Sequence, residues 1–524
     1  MRVGIIFVYV DYHRRGRRNR ISMQPQIGPL IAGLLPQDIE IEIVNETCEE
    51  PDWARHYDLL FISGMHSDFD RARQISHYWR SRGAKTVYGG GFASSYPQLC
   101  QPYFDAVIVG DPELTVPAVY QDFCRSELKP RYRSDAYDPS LVATPRFDLL
   151  AGKAVHSFGL EATRGCPFTC EFCVLTGLGT RHHTRPADGV IRDIKAGQRM
   201  LERLVPRFKT RILGFCDNNI GGNLGYLREL CAKLKPLHIQ WYAAATFNVI
   251  CQPELVRLMA DAGCRILFVG IESFNTAALA AMGKHQNAVH KTRSAIDSCR
   301  DHGILVVSGM LASPLNDDAA YLRRLPEYLT ECGLHVPTFL SFETPIPGTP
   351  YFRRLAQESE PAFLPGALLR DFACYTLTVR PRKASVDEFI SAYRGALGEV
   401  FSTRQRFAKL ADDLPRLLQR GHWFPAAADA VDMLTLQSAT PAPGRTFIAG
   451  TDTPPPERVP LSDDDFSSEA QRDAIMEPWQ VTGGDGRVLP HWLGSDVIFA
   501  PRRRRAAYEA PAADPGIEPA AALS

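Results

Sequence analysis

Glu161-Ala-Thr-Arg-Gly-Cys166-Pro-Phe-Thr-Cys170-Glu-Phe-Cys173 is the stretch around which the 524-residue chain is organised. Its three cysteines stand four and three residues apart, so one tight loop can aim three sulfurs at a common point. Thiolates are soft ligands that take zinc, copper(I) or iron–sulfur clusters. A closed zinc site needs a fourth ligand, and the nearest histidines, His182 and His183, lie beyond a glycine-rich segment. Three thiolates suit a four-iron cluster with one iron left open to chemistry.

Composition sets outer limits. Hydrophobic residues make up 45% and charged residues 23%, ordinary for a globular protein. Lys+Arg and Asp+Glu are both 59, which argues against a polyanion-binding surface and against nucleic acid as a partner. No apolar run reaches about 18 residues, so no transmembrane segment is expected. The first apolar stretch lacks the basic start and cleavage site of a signal peptide. The 13 scattered cysteines therefore read as thiols of a cytoplasmic protein.

Ahead of the cysteine loop, apolar runs at 2–10, 39–44, 58–63, 85–88 and 105–109 read as buried strands, with helices near 26–35 and 70–82. This alternation predicts an α/β domain over 1–135 with a doubly wound parallel sheet, whose ligands bind at the strands' carboxyl ends. Residues 131–149 are polar and proline-bearing, and a linker is expected at 136–155. Strands at 156–162, 210–219, 239–246, 265–273, 304–313 and 337–342 then alternate with helices. They predict a partial (β/α)6 barrel over 156–360 with its chemistry at the strands' carboxyl ends.

With Phe172 just before its third cysteine, Cys-x3-Cys-x2-Cys resembles the cluster motif of the radical S-adenosylmethionine (radical SAM) superfamily. The resemblance covers about residues 1–400. Gly270-Ile-Glu-Ser273 and Thr344-Pro-Ile-Pro-Gly-Thr349 are similar to landmarks of its cobalamin-type (class B) members. Gly89-Gly-Gly-Phe-Ala-Ser-Ser-Tyr-Pro97 and Asp105-Ala-Val-Ile-Val-Gly-Asp-Pro-Glu113 resemble the cobalamin-binding Rossmann domain found ahead of many radical SAM domains.

The resemblance implies a [4Fe-4S] cluster on Cys166, Cys170 and Cys173, with SAM on its open iron and a 5′-deoxyadenosyl radical as the reactive product. It implies SAM contacts from Asp217, Asn218, Glu272 and Ser313. Read alone, Asp217 and Asn218 also suit helix caps, and Glu272 a salt bridge. Cobalamin contacts are implied for Ser63, Gly89, Gly90 and Gly91. His13, in Asp11-Tyr-His-Arg-Arg-Gly16, is a cobalt-ligand candidate in a run that also reads as a solvated basic loop. The activity implied is methylation of an unactivated carbon in a small-molecule or lipid substrate, with electrons from a donor such as flavodoxin or ferredoxin. Radical ring closure with the same cofactors, or a non-catalytic cobalamin or cluster sensor, stays open on the residues.

Residues 361–425 resemble the family's C-terminal extension, with a strand at 369–379 and a helix at 385–401. Cys374 and Tyr375 there face the site or pack the core. A basic amphipathic surface helix is expected at 404–420. From 426 to 524 the composition is rich in proline and alanine and predicts a largely irregular tail. Trp479, Trp492 and the apolar 497–499 are its candidate anchors, and Arg502 to Arg505 read as solvated.

Overall fold

The computed structural model describes residues 1–10, 26–134, 137–150, 158–202, 204–206, 208–435, 446–451, 453–455 and 459–496. His13 and its basic run, residues 497–499 and Arg502 to Arg505 lie outside the described residues.

The first sheet holds β1 (Arg2–Phe7), β2 (Glu40–Asn45), β3 (Leu59–Ser63), β4 (Lys85–Gly89), β5 (Ala106–Val109) and β6 (Arg131–Arg133), in the order β2-β1-β3-β4-β5-β6. Every pairing is parallel. β1, β3 and β5 are near-continuous buried apolar runs, as in a parallel sheet covered on both faces. Strand order reverses at β1, which opens a crevice at the carboxyl ends beside β3. Ser63 sits there, in register with Phe7 on one side and Gly89 on the other. β6 corrects the linker reading at its start. Tyr132 points inward between exposed Arg131 and Arg133, the polar alternation of an edge strand, and three residues give too weak a period to stand out.

The second sheet begins at β7 (Phe158–Leu160). β8 (Thr163–Arg164) and β9 (His183–Thr184) form a small antiparallel pair flanking the cysteine loop. The sheet continues through β10 (Ile212–Phe215), β11 (Gln240–Ala245), β12 (Cys264–Glu272), β13 (Leu305–Ala312) and β14 (Phe339–Phe342). Its order β14-β13-β12-β11-β10-β7 is sequential and all parallel. That matches the six βα units expected. Amphipathic helices pack outside it; Pro253–Asp261 buries Leu255, Val256 and Met259. Gly263 ends that helix at φ +97°, where a side chain would strike the Ile239 carbonyl.

Two further differences lie downstream. The strand expected at 369–379 is reduced to β15 (Thr376–Leu377), paired with β16 (Phe447–Ile448). Asp371 accepts a hydrogen bond from the Leu368 N–H at 2.7 Å and turns the chain there. The tail, in turn, is anchored across residues 459–496. His77 stacks on Phe466 with centroids 4.9 Å apart. Buried Arg73 donates to the Ala474 and Glu477 carbonyls, and Trp492 is 1% exposed against Tyr96 and Trp479. Helix Phe69–Arg80 is consequently buried through Trp79, its apolar face on the sheet and its polar face under the tail. Average composition misses such a segment because a few aromatic anchors carry its burial. Among the described residues no helix is long and apolar enough to cross a membrane.

Candidate functional site

The carboxyl ends of the second sheet gather its polar side chains. Glu161 follows β7, Asp217 follows β10, Glu272 ends β12, Ser313 follows β13 and Glu343 follows β14.

The cysteine loop is held by its own backbone. The Glu171 N–H donates to the Met282 carbonyl, the Tyr351 N–H to the Glu171 carbonyl (both 3.0 Å), and the Cys173 N–H to the Cys170 carbonyl (3.2 Å). Cys170 is buried; Cys166 and Cys173 are half-buried. The Asn219 side-chain amide donates to Cys166 Sγ at 3.6 Å. The Gln286 amide lies 4.0 Å from Cys170 Sγ. Burial pushes the Cys170 and Cys173 thiols up, and the Lys284 charge opposes this at Cys170. No three His, Cys, Asp or Glu side chains among the described residues are grouped to hold a single metal ion. In a four-iron cluster each thiolate binds a different iron, so its ligands stand farther apart than those of one ion. Soft donors, N–H groups on sulfur, a nearby cation and unpartnered buried Thr176 Oγ1 and Gln286 Oε1 fit such a cluster.

The expected SAM residues divide by position. Asp217 accepts from the Ala162 N–H at 3.1 Å and from the Thr163 N–H, bracing the strand ahead of the loop. Burial pushes its carboxyl up to about 7. Asn218 Oδ1 accepts from the Gly165 N–H at 3.4 Å. Glu272 accepts from Lys284 Nζ at 2.8 Å, with both residues buried. Ser313 Oγ donates to Glu343 Oε2 at 2.5 Å, and the Ser313 N–H donates to Asp317 Oδ2 at 2.7 Å. Sequence reading passed over Asn219, Lys284, Gln286 and Glu343 as site residues. Only Glu343 carried a usable signal, a lone charge ending an apolar strand.

Burial pushes the Glu343 carboxyl up to about 7, above an ordinary Glu value of about 4.3. The folded protein therefore keeps a proton that the unfolded chain releases. That stability is present below pH ~4.3 and is lost as pH rises through 7. Glu343→Gln keeps the neutral shape, so its stability relative to wild type should rise by on the order of 3 kcal/mol between pH 4.5 and 8. Urea unfolding at several pH values checks this; a pH-independent difference would refute it.

Cys374, at φ +61°, offers its carbonyl to the Phe342 N–H at 2.7 Å, beside the end of β14. The first sheet's carboxyl edge also reaches the loop. Gly90 has φ +112°, and a side chain there would stand 3.3 Å from Ser63 Oγ. One on Gly91 would touch Val174 and Leu178 at 3.6 and 3.8 Å, in or just after the helix following Cys173. One on Gly177 would meet the Gly348 carbonyl at 2.7 Å. Ser63 and the Gly89–Gly91 rim thus stand at the first sheet's carboxyl edge against the helix after the cysteine loop, a seam where glycines let the backbone come close to a neighbouring group. Arg164, two residues before Cys166, ties this seam together through Glu161, Asp111 and Glu113 at 2.7–2.8 Å.

Residues 160–324 match the Radical SAM superfamily. The bacteriochlorophyllide d C-8(2)-methyltransferase of Chlorobaculum tepidum is 26% identical over 331 residues, 61% of this chain and 73% of that protein. The hopanoid C-2 methylase of Rhodopseudomonas palustris is 26% identical over 357 residues, 64% of this chain and 65% of that protein. The fold resembles the cobalamin-dependent S-adenosylmethionine radical enzyme OxsB, solved with aqua-cobalamin and S-adenosylmethionine bound. The TM-score is 0.58 at 13% identity, over 83% of this chain and 75% of that one. The chain thus carries a radical SAM domain over residues 160–324, and enzymes with this domain work with a [4Fe-4S] cluster and S-adenosylmethionine.

Proposed function

We propose that this protein is a cobalamin-dependent radical SAM methylase acting on an unactivated carbon of a small-molecule or lipid substrate. The observation that carries the reading is the seam itself. Ser63 and Gly89–Gly91, on the carboxyl edge of the first sheet, face the helix that follows the cysteine loop. A methyl donor on one edge and a radical source on the other would meet a substrate from two sides. The names of the two relatives support a methyl-transfer outcome, and the bound ligands of OxsB support cobalamin as a cofactor.

In this reading Cys166, Cys170 and Cys173 hold the cluster. When bound, cluster, SAM and cobalamin supply radical generation and the methyl group. The protein supplies placement and exclusion of water. Asn219 and Gln286 orient sulfurs by hydrogen bonds, and Asp217 and Asn218 brace the loop's entry. Ser313, with Glu343 behind it, presents a polar wall at the ends of β13 and β14. Ser63 and the three glycines admit the flat cofactor.

The test uses anaerobically reconstituted full-length protein. Hydroxocobalamin should stay bound through gel filtration at about one per chain. Reduction in the presence of SAM should yield 5′-deoxyadenosine. Turnover with a methyl acceptor drawn from cellular lipid and pigment fractions should also release S-adenosylhomocysteine and add one labelled methyl group to product. Deoxyadenosine without methyl transfer or cobalamin retention would overturn the methylase reading in favour of a cyclase or another radical reaction.

A further inference from the structure

The landmark Gly270-Ile-Glu272 serves a geometry that its sequence does not disclose. Three features converge on aiming the Glu272 carboxylate. The register between β12 and β13 slips between Gly270 and Glu272. Glu272 takes φ +66°, a left-handed conformation that a side chain rarely adopts without local constraint. The Asn287 amide donates to the Gly270 and Ile271 carbonyls at 3.0 and 2.8 Å, fixing the bulge from outside. A side chain on residue 270 would stand 2.2 Å from Glu272 Oε1 and 3.0 Å from Lys284 Nζ. Glycine leaves the ion pair its place directly over that position, and a side chain there would push the carboxylate aside.

The partner so aimed at is Lys284, 7% exposed, with Nζ 2.8 Å from the carboxylate. Its segment runs against the cysteine loop. Met282 accepts from the Glu171 N–H, a side chain on Gly283 would touch the Thr169 carbonyl at 3.5 Å, and Gln286 reaches toward Cys170 Sγ. Lys284 Nζ stands 5.8 Å from the centre of the Phe172 ring, between the second and third cysteines. Its charge acts on both Cys170 and Cys173. A long ammonium side chain is otherwise free to turn to water. Here a strained backbone and a buried carboxylate hold it in place.

We propose that Glu272 is a positioning residue that fixes Lys284 as a cation against the cysteine loop, and that this fixed charge sets how readily the cluster accepts an electron. The inference rests on the cluster being held by Cys166, Cys170 and Cys173. One-electron reduction by an external donor adds a negative charge to a site already surrounded by thiolates. A fixed cation stabilises that reduced form, and Coulomb attraction is strong where water is excluded. Net charge and surroundings are the levers by which proteins move such potentials.

The experiment is a redox titration, followed by electron paramagnetic resonance, of the reconstituted full-length protein against titanium(III) citrate. Lys284→Gln should shift the midpoint to lower potential at unchanged iron content, and Lys284→Arg should restore it. Glu272→Gln should shift it in the same direction as Lys284→Gln, because the cation is no longer held. Gly270→Ala keeps both charges but displaces the carboxylate, and should also lower the midpoint; it serves where the charge variants fold poorly. An upward shift in Glu272→Gln would mean that the carboxylate only offsets the cation, and would overturn the positioning role. A loaded wild type whose midpoint Lys284→Gln leaves unmoved overturns the inference alone. A wild type that takes up no cluster overturns the cysteine assignment and this inference with it.

Discussion

Replacing any one of Cys166, Cys170 or Cys173 with alanine reduces 5′-deoxyadenosine formation to the level of iron-free protein while leaving the fold in place. Both halves of this expectation follow from how the loop is built. Its path is fixed by backbone hydrogen bonds of Glu171 to Met282 and Tyr351, and by the Glu171–Arg354 ion pair at 3.0 Å. None of these uses a cysteine side chain. On the proposed assignment, loss of one sulfur removes one of three iron ligands but not the loop. Cys231→Ala supplies the contrast. Cys231 is buried in the helix Leu224–Leu234, where burial pushes its thiol up to about 12. Such a thiol behaves as a small hydrophobe. Its loss should cost about 1 kcal/mol of stability, like other small core truncations, and no activity. Iron and sulfide content, the visible absorption of the cluster and thermal unfolding measure the three effects separately. Full iron content in Cys170→Ala, or a cluster lost equally in Cys231→Ala, would refute the assignment.

The contrast shows which kinds of information a sequence carries openly. Spacing distinguishes Cys166, Cys170 and Cys173 from the other ten cysteines, because a loop brings near neighbours together whatever the rest of the chain does. Apolar runs likewise disclosed strands of both sheets, since a strand buried on two faces leaves little choice of residue. What stayed hidden depends on where the chain goes between motifs. Lys284 follows Glu272 by twelve residues, across the helix Thr276–Ala281, and nothing local marks it as the carboxylate's partner. Asp217 and Asn218 were legible as polar residues at a strand end, but their side chains turn to the backbone of residues 162–165. A pattern of residue types gives position along a strand and says little about hydrogen-bond direction. The tail was hardest to read. Its low average hydrophobicity hides that Trp479, Trp492 and Phe466 each meet an aromatic partner on the first sheet's side of the molecule.

The second large effect is expected at Arg164. Its guanidinium pairs with Glu161 at 2.7 Å, Glu113 at 2.8 Å and Asp111 at 2.7 Å, and lies 4.2 Å from the centre of the Tyr137 ring. Glu113 and Glu161 have side chains only 3% and 11% exposed. Truncating the shared cation leaves two carboxylates facing each other without compensation. Removing one partner of a buried pair typically costs about 3–5 kcal/mol. Arg164→Ala should therefore lose stability on this scale at pH 8. The sign of its pH dependence is fixed by the same geometry. Burial already pushes the Glu161 carboxyl up in the intact network. Without Arg164 the folded-state value of Glu161 rises further above its unfolded value, so the variant regains stability as pH falls toward 5. Urea unfolding at pH 5.5 and 8 measures this recovery. An Arg164→Ala protein within about 1 kcal/mol of wild type at both pH values would show that the pairs contribute no more than surface ion pairs do. Arg164→Lys should recover little, because one ammonium cannot meet three carboxylates in the planar fork geometry of a guanidinium. Asp111 and Glu113 belong to the first sheet's last landmark and Arg164 to the strand that enters the cysteine loop. If cobalamin sits on the first sheet's edge as proposed, loss of the arginine should loosen hydroxocobalamin retention before it affects cluster content, because the network ties that edge to the loop without touching the sulfurs.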